Sequence, residues 1–128
     1  MLLQKWAHDS AAWEALVDGD QEQVIGRRKS DSVELDDKPS DSHLASTDQD
    51  TLGKIFRRNM PFGTVTDHGT MFVGFCARQE PLQKMLESMA GLDDGSRDAL
   101  TRYTRAVTGA YYFVPSTDSL RALVSPEE

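Results

Sequence analysis

The spacing of apolar and polar positions lays out a series of short elements. Residues 2–6 read as a strand, and Asp9 or Ser10 is placed to cap a helix that carries Glu14 in its first turns. Residues 20–27 read as a second helical piece. Residues 27–50 break the pattern, being polar, rich in Ser and Asp and interrupted by Pro39, which predicts a long loop. Loops of such length in compact domains are usually functional or disordered. Residues 54–59 alternate as a strand does, with Ile55, Arg57 and Asn59 on one face and Phe56 and Arg58 on the other. Pro61-Phe62-Gly63 is turn chemistry, and the nearly continuous apolar run over residues 69–76 predicts a buried central strand. The clearest helix follows: Leu82, Met85, Leu86 and Met89 fall at i, i+3, i+4 and i+7, with Pro81 in the first turn and Gly91 where a C-cap belongs. Ser96 is placed to cap a short helix over residues 97–103, before a last strand over 109–114 and a helical turn over 118–123.

The order strand, helix, strand, strand, helix, strand is that of the ferredoxin-like α+β fold. Its usual form is an antiparallel sheet with helices packed on one face, which leaves the other face free to cover a ligand or a partner. The fold does not by itself name a function.

Composition narrows the functional classes. The 128 residues suit one domain with a real core. The net charge is −7, and residues 1–50, with 12 acidic against 5 basic side chains, hold the whole excess. Such a surface is not built to neutralise nucleic-acid phosphates or to sit on an anionic membrane. No run approaches the roughly 20 apolar residues of a membrane helix, and the start of the chain lacks a basic segment followed by a long apolar one. The single cysteine, Cys76, forms neither an internal disulfide nor a cysteine-based metal site. The tail over residues 125–128 carries no targeting extension, so a cytoplasmic location is expected.

Candidate chemistry is sparse. His43 stands in the polar loop, where no apolar periodicity explains it, although a lone loop histidine is more often a solvated residue than a ligand. His8 and His68 read as structural residues at a strand end and in a turn. Arg57 and Asn59 share a strand face, and fixed donors of that kind polarise a small oxygen ligand in a dry site. Asp98 reads as a carboxylate favourably placed in the first turn of a short helix. Tyr103, Tyr111, Tyr112, Trp6 and Trp13 are read as packing, with no electron relay assigned.

Taken in order, the segments WAHDSAAWEAL, DQEQVIGRRK, SHLA, IFRRNMPFGT, HGTMFVGFCA, RDALTRYT and TGAYYFVPS resemble the C-terminal half of bacterial dye-decolorizing peroxidases over essentially the whole chain. The likeness is nearest to the cytoplasmic branch, whose polypeptide holds two ferredoxin-like domains with haem b bound by the second. The resemblance implies that His43 ligates the haem iron and that Asp98 bonds to the other nitrogen of its imidazole, fixing the ring and making it a stronger donor. It implies that Arg57 is the distal arginine, with Asn59 a polar neighbour and Phe72 an apolar residue of the distal wall.

The family's distal acid lies in a G-x-x-D-G segment upstream of this domain, and Asp18-Gly19-Asp20 is no substitute for it. The expectation is therefore a haem-ligating domain without its first domain. The implied activity is reduction of hydrogen peroxide with one-electron oxidation of dyes or phenols, in an intact enzyme that forms a homo-oligomer. The alternative is a haem-free ferredoxin-like module that binds or oligomerises without catalysis. Surface exposed by the missing domain is expected to weaken haem retention or to promote association.

Overall fold

In the computed structural model, which describes residues 1–124, the chain runs from β1 (Leu2–His8) through α1 (Ser10–Glu14), α2 (Asp18–Ile25), α3 (His43–Ser46) and α4 (Gln49–Leu52). It continues as β2 (Phe56–Arg57), β3 (Met60–Gly63), β4 (His68–Phe75), α5 (Glu80–Ala90), a 3-10 helix (Ala99–Arg102), β5 (Thr104–Tyr111) and α6 (Thr117–Val124). All pairings are antiparallel. The sheet order is β2-β4-β1-β5, with β3 also on β4, and this is the ferredoxin-like α+β arrangement.

Register decides which residues meet the helices. Leu2 lies opposite Gly74, Gln4 opposite Phe72 and Trp6 opposite Thr70, so the even positions of β1 and β4 share one face. On that face Leu2 packs with Leu82 and Met85 of α5 to form the buried core, flanked by Leu52, Ile55, Phe72, Leu86 and Met89. A Cβ at Gly74 would come within 2.8 Å of the Phe72 ring and 3.0 Å of Leu82, so glycine there lets helix and sheet close. The α5 helix has the predicted apolar stripe and Pro81 in its first turn. It ends at Gly91, whose φ of +72° turns its N–H back to the Glu87 and Ser88 carbonyls.

Several boundaries differ from the sequence reading. The second helix is Asp18–Ile25, earlier than expected, because Gly26 at φ +88° stops it. The stretch read as one long loop contains α3 and α4, each opened by a side-chain cap, Ser42 onto Ala45 and Asp48 onto Asp50. Such four-residue helices are too short to show an apolar period. Pro61-Phe62-Gly63 is not a turn but part of β3. Proline is tolerated because β3 lies at the sheet edge, and the hairpin turn falls over residues 64–67, closed by Thr64 N–H to the Asp67 carbonyl at 2.8 Å. The strand expected over residues 54–59 is ordered as β2 only, and the register pairing Arg57 with Gly74 and Met60 with Met71 makes β2 and β3 one interrupted edge strand. Asp98, not Ser96, caps the 3-10 helix, and the last strand begins at Thr104 rather than at Gly109. The expectation for the tail over residues 125–128 lies outside the described residues. Among the described residues no helix is long and apolar enough to cross a membrane.

Leu82 is 1% exposed at the centre of this core. Leu82→Ala is expected to destabilise the chain by about 2–5 kcal/mol through lost apolar contact and a residual cavity. Urea unfolding measures it, and a change below about 0.5 kcal/mol would place the core elsewhere.

Candidate functional site

The site is organised by two short helices whose caps aim two side chains at each other. Ser42, fully buried, caps α3 through its Oγ, which accepts the Ala45 N–H at 3.3 Å, and this places His43 in the first turn. Behind it, Gly26 has no Cβ where one would lie 3.0 Å from both Ser42 Oγ and Leu44, so the end of α2 is wedged against the start of α3. Thr47 closes the turn, its hydroxyl donating to the His43 carbonyl at 2.7 Å. On the other side, Asp98 is held by its own N–H to the Met89 carbonyl at 3.1 Å, and the next N–H, of Ala99, reaches the Asp41 carbonyl at 2.7 Å.

These anchors bring His43 Nδ1 to 2.7 Å from Asp98 Oδ2, across 55 positions of sequence. Asp98 is wholly buried, and its Oδ1 accepts the Leu100 N–H at 2.9 Å. An ionised carboxyl only accepts, so Nδ1 carries the proton of this bond, and in the neutral ring Nε2 is the nitrogen that keeps its lone pair. Nε2 has no hydrogen-bond partner among the described residues, and His43 lines a cavity of about 350 Å³.

The same cavity is lined by Arg57, Asn59 and Phe72. The edge-strand register explains their meeting: Arg57 pairs with Gly74, which sets Asn59 across from Phe72 on the helix-facing side. The cavity thus lies between sheet and helices, not on the open sheet face that the fold class leaves for a ligand or a partner. All five residues singled out from the sequence come together here, four in the cavity wall and Asp98 behind His43.

Sequence reasoning missed part of the wall. Trp6 and His8, which the sequence suggests as packing and strand end, both lie on the cavity face of β1, two and four residues beyond Gln4. A strict period-2 reading of residues 2–8 finds them. Trp13 and Tyr103 meet edge to face with ring centroids 5.4 Å apart, and Met85 and Met89 extend the apolar stripe of α5 into the same space.

His8 also ties the sheet together. Its Nδ1 is 2.8 Å from Thr104 Oγ and its Nε2 is 2.9 Å from Thr70 Oγ. Thr104 Oγ donates to the Ala7 carbonyl, so it accepts from Nδ1–H, which leaves Nε2 to accept from Thr70. His68, 6.3 Å away between ring centroids, is bonded through Nε2 to Ser10 Oγ at 2.6 Å.

The chain matches the family described as Dyp-type peroxidase, C-terminal, over residues 1–119. The chain belongs to that family. It is 42% identical over 127 residues to the dye-decolorizing peroxidase of Mycobacterium tuberculosis, covering 92% of this chain and 38% of that protein. Among solved structures it resembles the dye-decolorizing protein from Vibrio cholerae at 44% identity and a TM-score of 0.88, covering 94% of this chain and 42% of the other. It also resembles a variant of Rhodococcus jostii DypB in complex with heme, at 39% identity and a TM-score of 0.86, covering 94% of this chain and 42% of that one. The chain therefore spans about two fifths of the length of these Dyp-type relatives.

Among the described residues no cluster of three or more His, Cys, Asp or Glu could hold a bare metal ion. One imidazole with a free Nε2, buttressed at Nδ1 and opening on a mostly apolar cavity, fits an iron whose other donors come from a porphyrin.

The pH dependence of stability follows from His8. Its imidazole titrates below the ordinary 6.5 because burial disfavours the charged ring and because His68 adds like charge. A lowered folded value means that the unfolded chain binds the proton more readily. His8 therefore contributes its full stability above pH 6.5 and loses it as pH falls through the lowered folded value. Asp31, Asp48 and Glu80 are also held low, mainly by hydrogen bonds from Val33 N–H, Thr51 Oγ and Lys84, but their contributions fade only in the more acid carboxylate range. Melting temperature is expected to fall from pH 7.5 to pH 5 and to fall less steeply in His8→Gln; an unchanged slope would remove His8 as the cause.

Proposed function

We propose that this chain is the haem-ligating part of a peroxidase that reduces hydrogen peroxide at the expense of small aromatic donors such as phenols and dyes. The observation that carries the reading is the His43–Asp98 pair, with Nε2 left free toward a cavity that also presents Arg57 and Asn59.

His43 Nε2 would hold the iron of haem b. Asp98, accepting the Nδ1 proton, fixes the tautomer and the ring plane and raises the donor strength of Nε2. Bound haem supplies the redox chemistry, taking two electrons' worth of oxidation from peroxide and passing it on to donors one electron at a time. The Arg57 guanidinium and the Asn59 amide would donate hydrogen bonds to the peroxide oxygens, favouring the hydroperoxide anion and the negative charge that develops as the O–O bond breaks. Phe72, Met85, Met89 and Leu100 give this space an apolar wall, and a less polar surrounding strengthens those hydrogen bonds. Atoms balance as one peroxide and two donor hydrogens giving two waters and two donor radicals.

Cytoplasmic location and homo-oligomer formation belong to the same proposal. The exposed apolar side chains Tyr112, Phe113, Val114, Leu120, Leu123 and Val124, gathered at the end of β5 and on α6, support burial against another surface.

Haemin added to the purified chain is expected to give a Soret band that His43→Ala abolishes. Asp98→Asn should keep the band but shift it, because the amide no longer takes the Nδ1 proton as a carboxylate does. Equal spectra for the parent and His43→Ala would overturn the ligand assignment and favour a haem-free module. In the haem-loaded chain, Arg57→Ala is expected to slow peroxide turnover by about 10²–10³-fold, and an unchanged rate would remove Arg57 from the peroxide site.

A further inference from the structure

One pair of a hydroxyl and an imidazole lies outside the site described above. Ser10 Oγ is 2.6 Å from His68 Nε2, across 58 positions of sequence. The sheet brings them together. Ala7 pairs with Gly69, so the chain leaves β1 beside the start of β4, and His68, an even position of β4, faces the helices as His8 does. Neither side chain is spent on holding its own element. Asp9 caps α1 through the Ala12 N–H at 3.0 Å, so the Ser10 hydroxyl is not needed as a cap, and His68 keeps its place in the sheet through its backbone pairing with Gly63. Both side chains are half-buried, and both open on a space of about 1240 Å³ beside the first cavity.

A serine hydroxyl is a weak nucleophile until a base within hydrogen-bond reach takes its proton, and the base works best when a third group fixes its ring. Nε2 is within that reach. With the ring proton on Nδ1, Nε2 accepts from the Ser10 hydroxyl, and Ser10 Oγ has no other hydrogen-bond partner among the described residues. The ring of His8 stands edge-on to that of His68, with centroids 6.3 Å apart and 80° between the planes, and is itself held at both nitrogens by Thr104 and Thr70. Packing thus does for His68 part of what a carboxylate does in a Ser-His-Asp triad. Among the described residues no hydrogen bond reaches His68 Nδ1. With no carboxylate behind the imidazolium that forms, the pair suits electrophiles that already carry a good leaving group.

We propose that Ser10 is a nucleophile with His68 as its general base, and that the pair takes acyl groups from activated esters, a reaction separate from the chemistry of the first cavity and requiring no haem. Leu86 and Met89 of α5 give the same space an apolar wall for the organic part of the ester. The hydroxyl proton passes to His68 Nε2 as Oγ bonds to the acyl carbon. The bond from that carbon to the leaving oxygen breaks, and the electron pair departs with a phenolate. Once His68 has lost its proton to solvent it takes one from water, whose oxygen bonds to the acyl carbon and releases a carboxylic acid and free Ser10.

p-Nitrophenyl acetate added to the 128-residue chain without haem is expected to release about one equivalent of p-nitrophenolate in a burst, with the acetyl group found on Ser10 by peptide mass spectrometry. Ser10→Ala and His68→Gln should each slow the burst by about 10²-fold. Acetyl on lysine, on the N-terminus or on His68 with none on Ser10 would overturn the nucleophile, and an undiminished rate in His68→Gln would overturn the base. The unaltered chain gives a second measurement. Phenylmethanesulfonyl fluoride should lose fluoride, form a sulfonate ester at Ser10 and abolish the burst, and a burst that survives it would overturn the proposal. His43 also presents an open Nε2, but His43→Ala should leave acetylation of Ser10 intact. Loss of the burst in His43→Ala would place the nucleophile in the first cavity and overturn the assignment. Ser10→Ala and His68→Gln should both keep the haemin Soret band, so haem ligation and acyl transfer fail separately.

Discussion

The hydrogen bond from His43 Nδ1 to Asp98 Oδ2 is the constraint on which the site depends, because neither partner is fixed by the sheet. Asp98 has no water to turn to, and each of its oxygens is accounted for, one by the imidazole and one by the Leu100 N–H. A buried carboxyl with an unfilled acceptor is costly, so the bond is retained only if both backbones arrive in register. The caps provide that register. Ser42 sets the start of α3, Asp98 sets the start of the 3-10 helix, and the Ala99 N–H to Asp41 carbonyl bond joins the two segments directly. Among the described residues no buried side-chain nitrogen or oxygen lacks a partner, the two oxygens of Asp98 included.

Much of the frame is legible from pattern alone. Met85 and Met89 fall on the predicted stripe of α5, Gly91 ends that helix as expected, and Arg57 and Asn59 share the face that alternation assigned them. Period and caps describe one element at a time, however, and the edge of their reach is visible in the errors. Pro61 and Gly63 carry turn chemistry, yet they lie in an edge strand, because the exposed side of an edge asks nothing of the missing proline N–H. Thr104 and Arg105 have no apolar alternation to mark them as strand, and pairing with β1 makes them one. The helix α3 is one turn long, below any periodic signal, and is written only in its Ser42 cap.

The partnership of His43 with Asp98 is a different matter. Nothing in the local sequence joins residues 55 positions apart. Their pairing is implied by the resemblance to Dyp-type peroxidases, and the geometry gives it a physical basis. Trp6 and His8 show the opposite case, being readable by period but set aside, since an aromatic or histidine on a strand face is usually packing. Their place in the cavity wall follows from where β1 sits in the sheet, between β4 and β5, which no single strand discloses.

The two sides of the cavity owe their precision to different physics. Arg57, Asn59 and Phe72 are placed by the hydrogen-bond register of β2, β3 and β4, which many backbone bonds maintain together, so removing one side chain leaves the others in position. His43 is placed by a few caps and close contacts in series: Gly26 against Ser42, Ser42 on α3, and Asp98 on the imidazole. A defect in any one of these propagates to the ring, because no ladder runs behind it. The side that would carry the iron is therefore the more fragile, and Gly26 and Ser42 matter to it without touching the cavity. That asymmetry suits a fold in which the sheet supplies a rigid wall and the sequence between β1 and β2, long and mostly polar, is kept in place by hydrogen bonds more than by apolar burial.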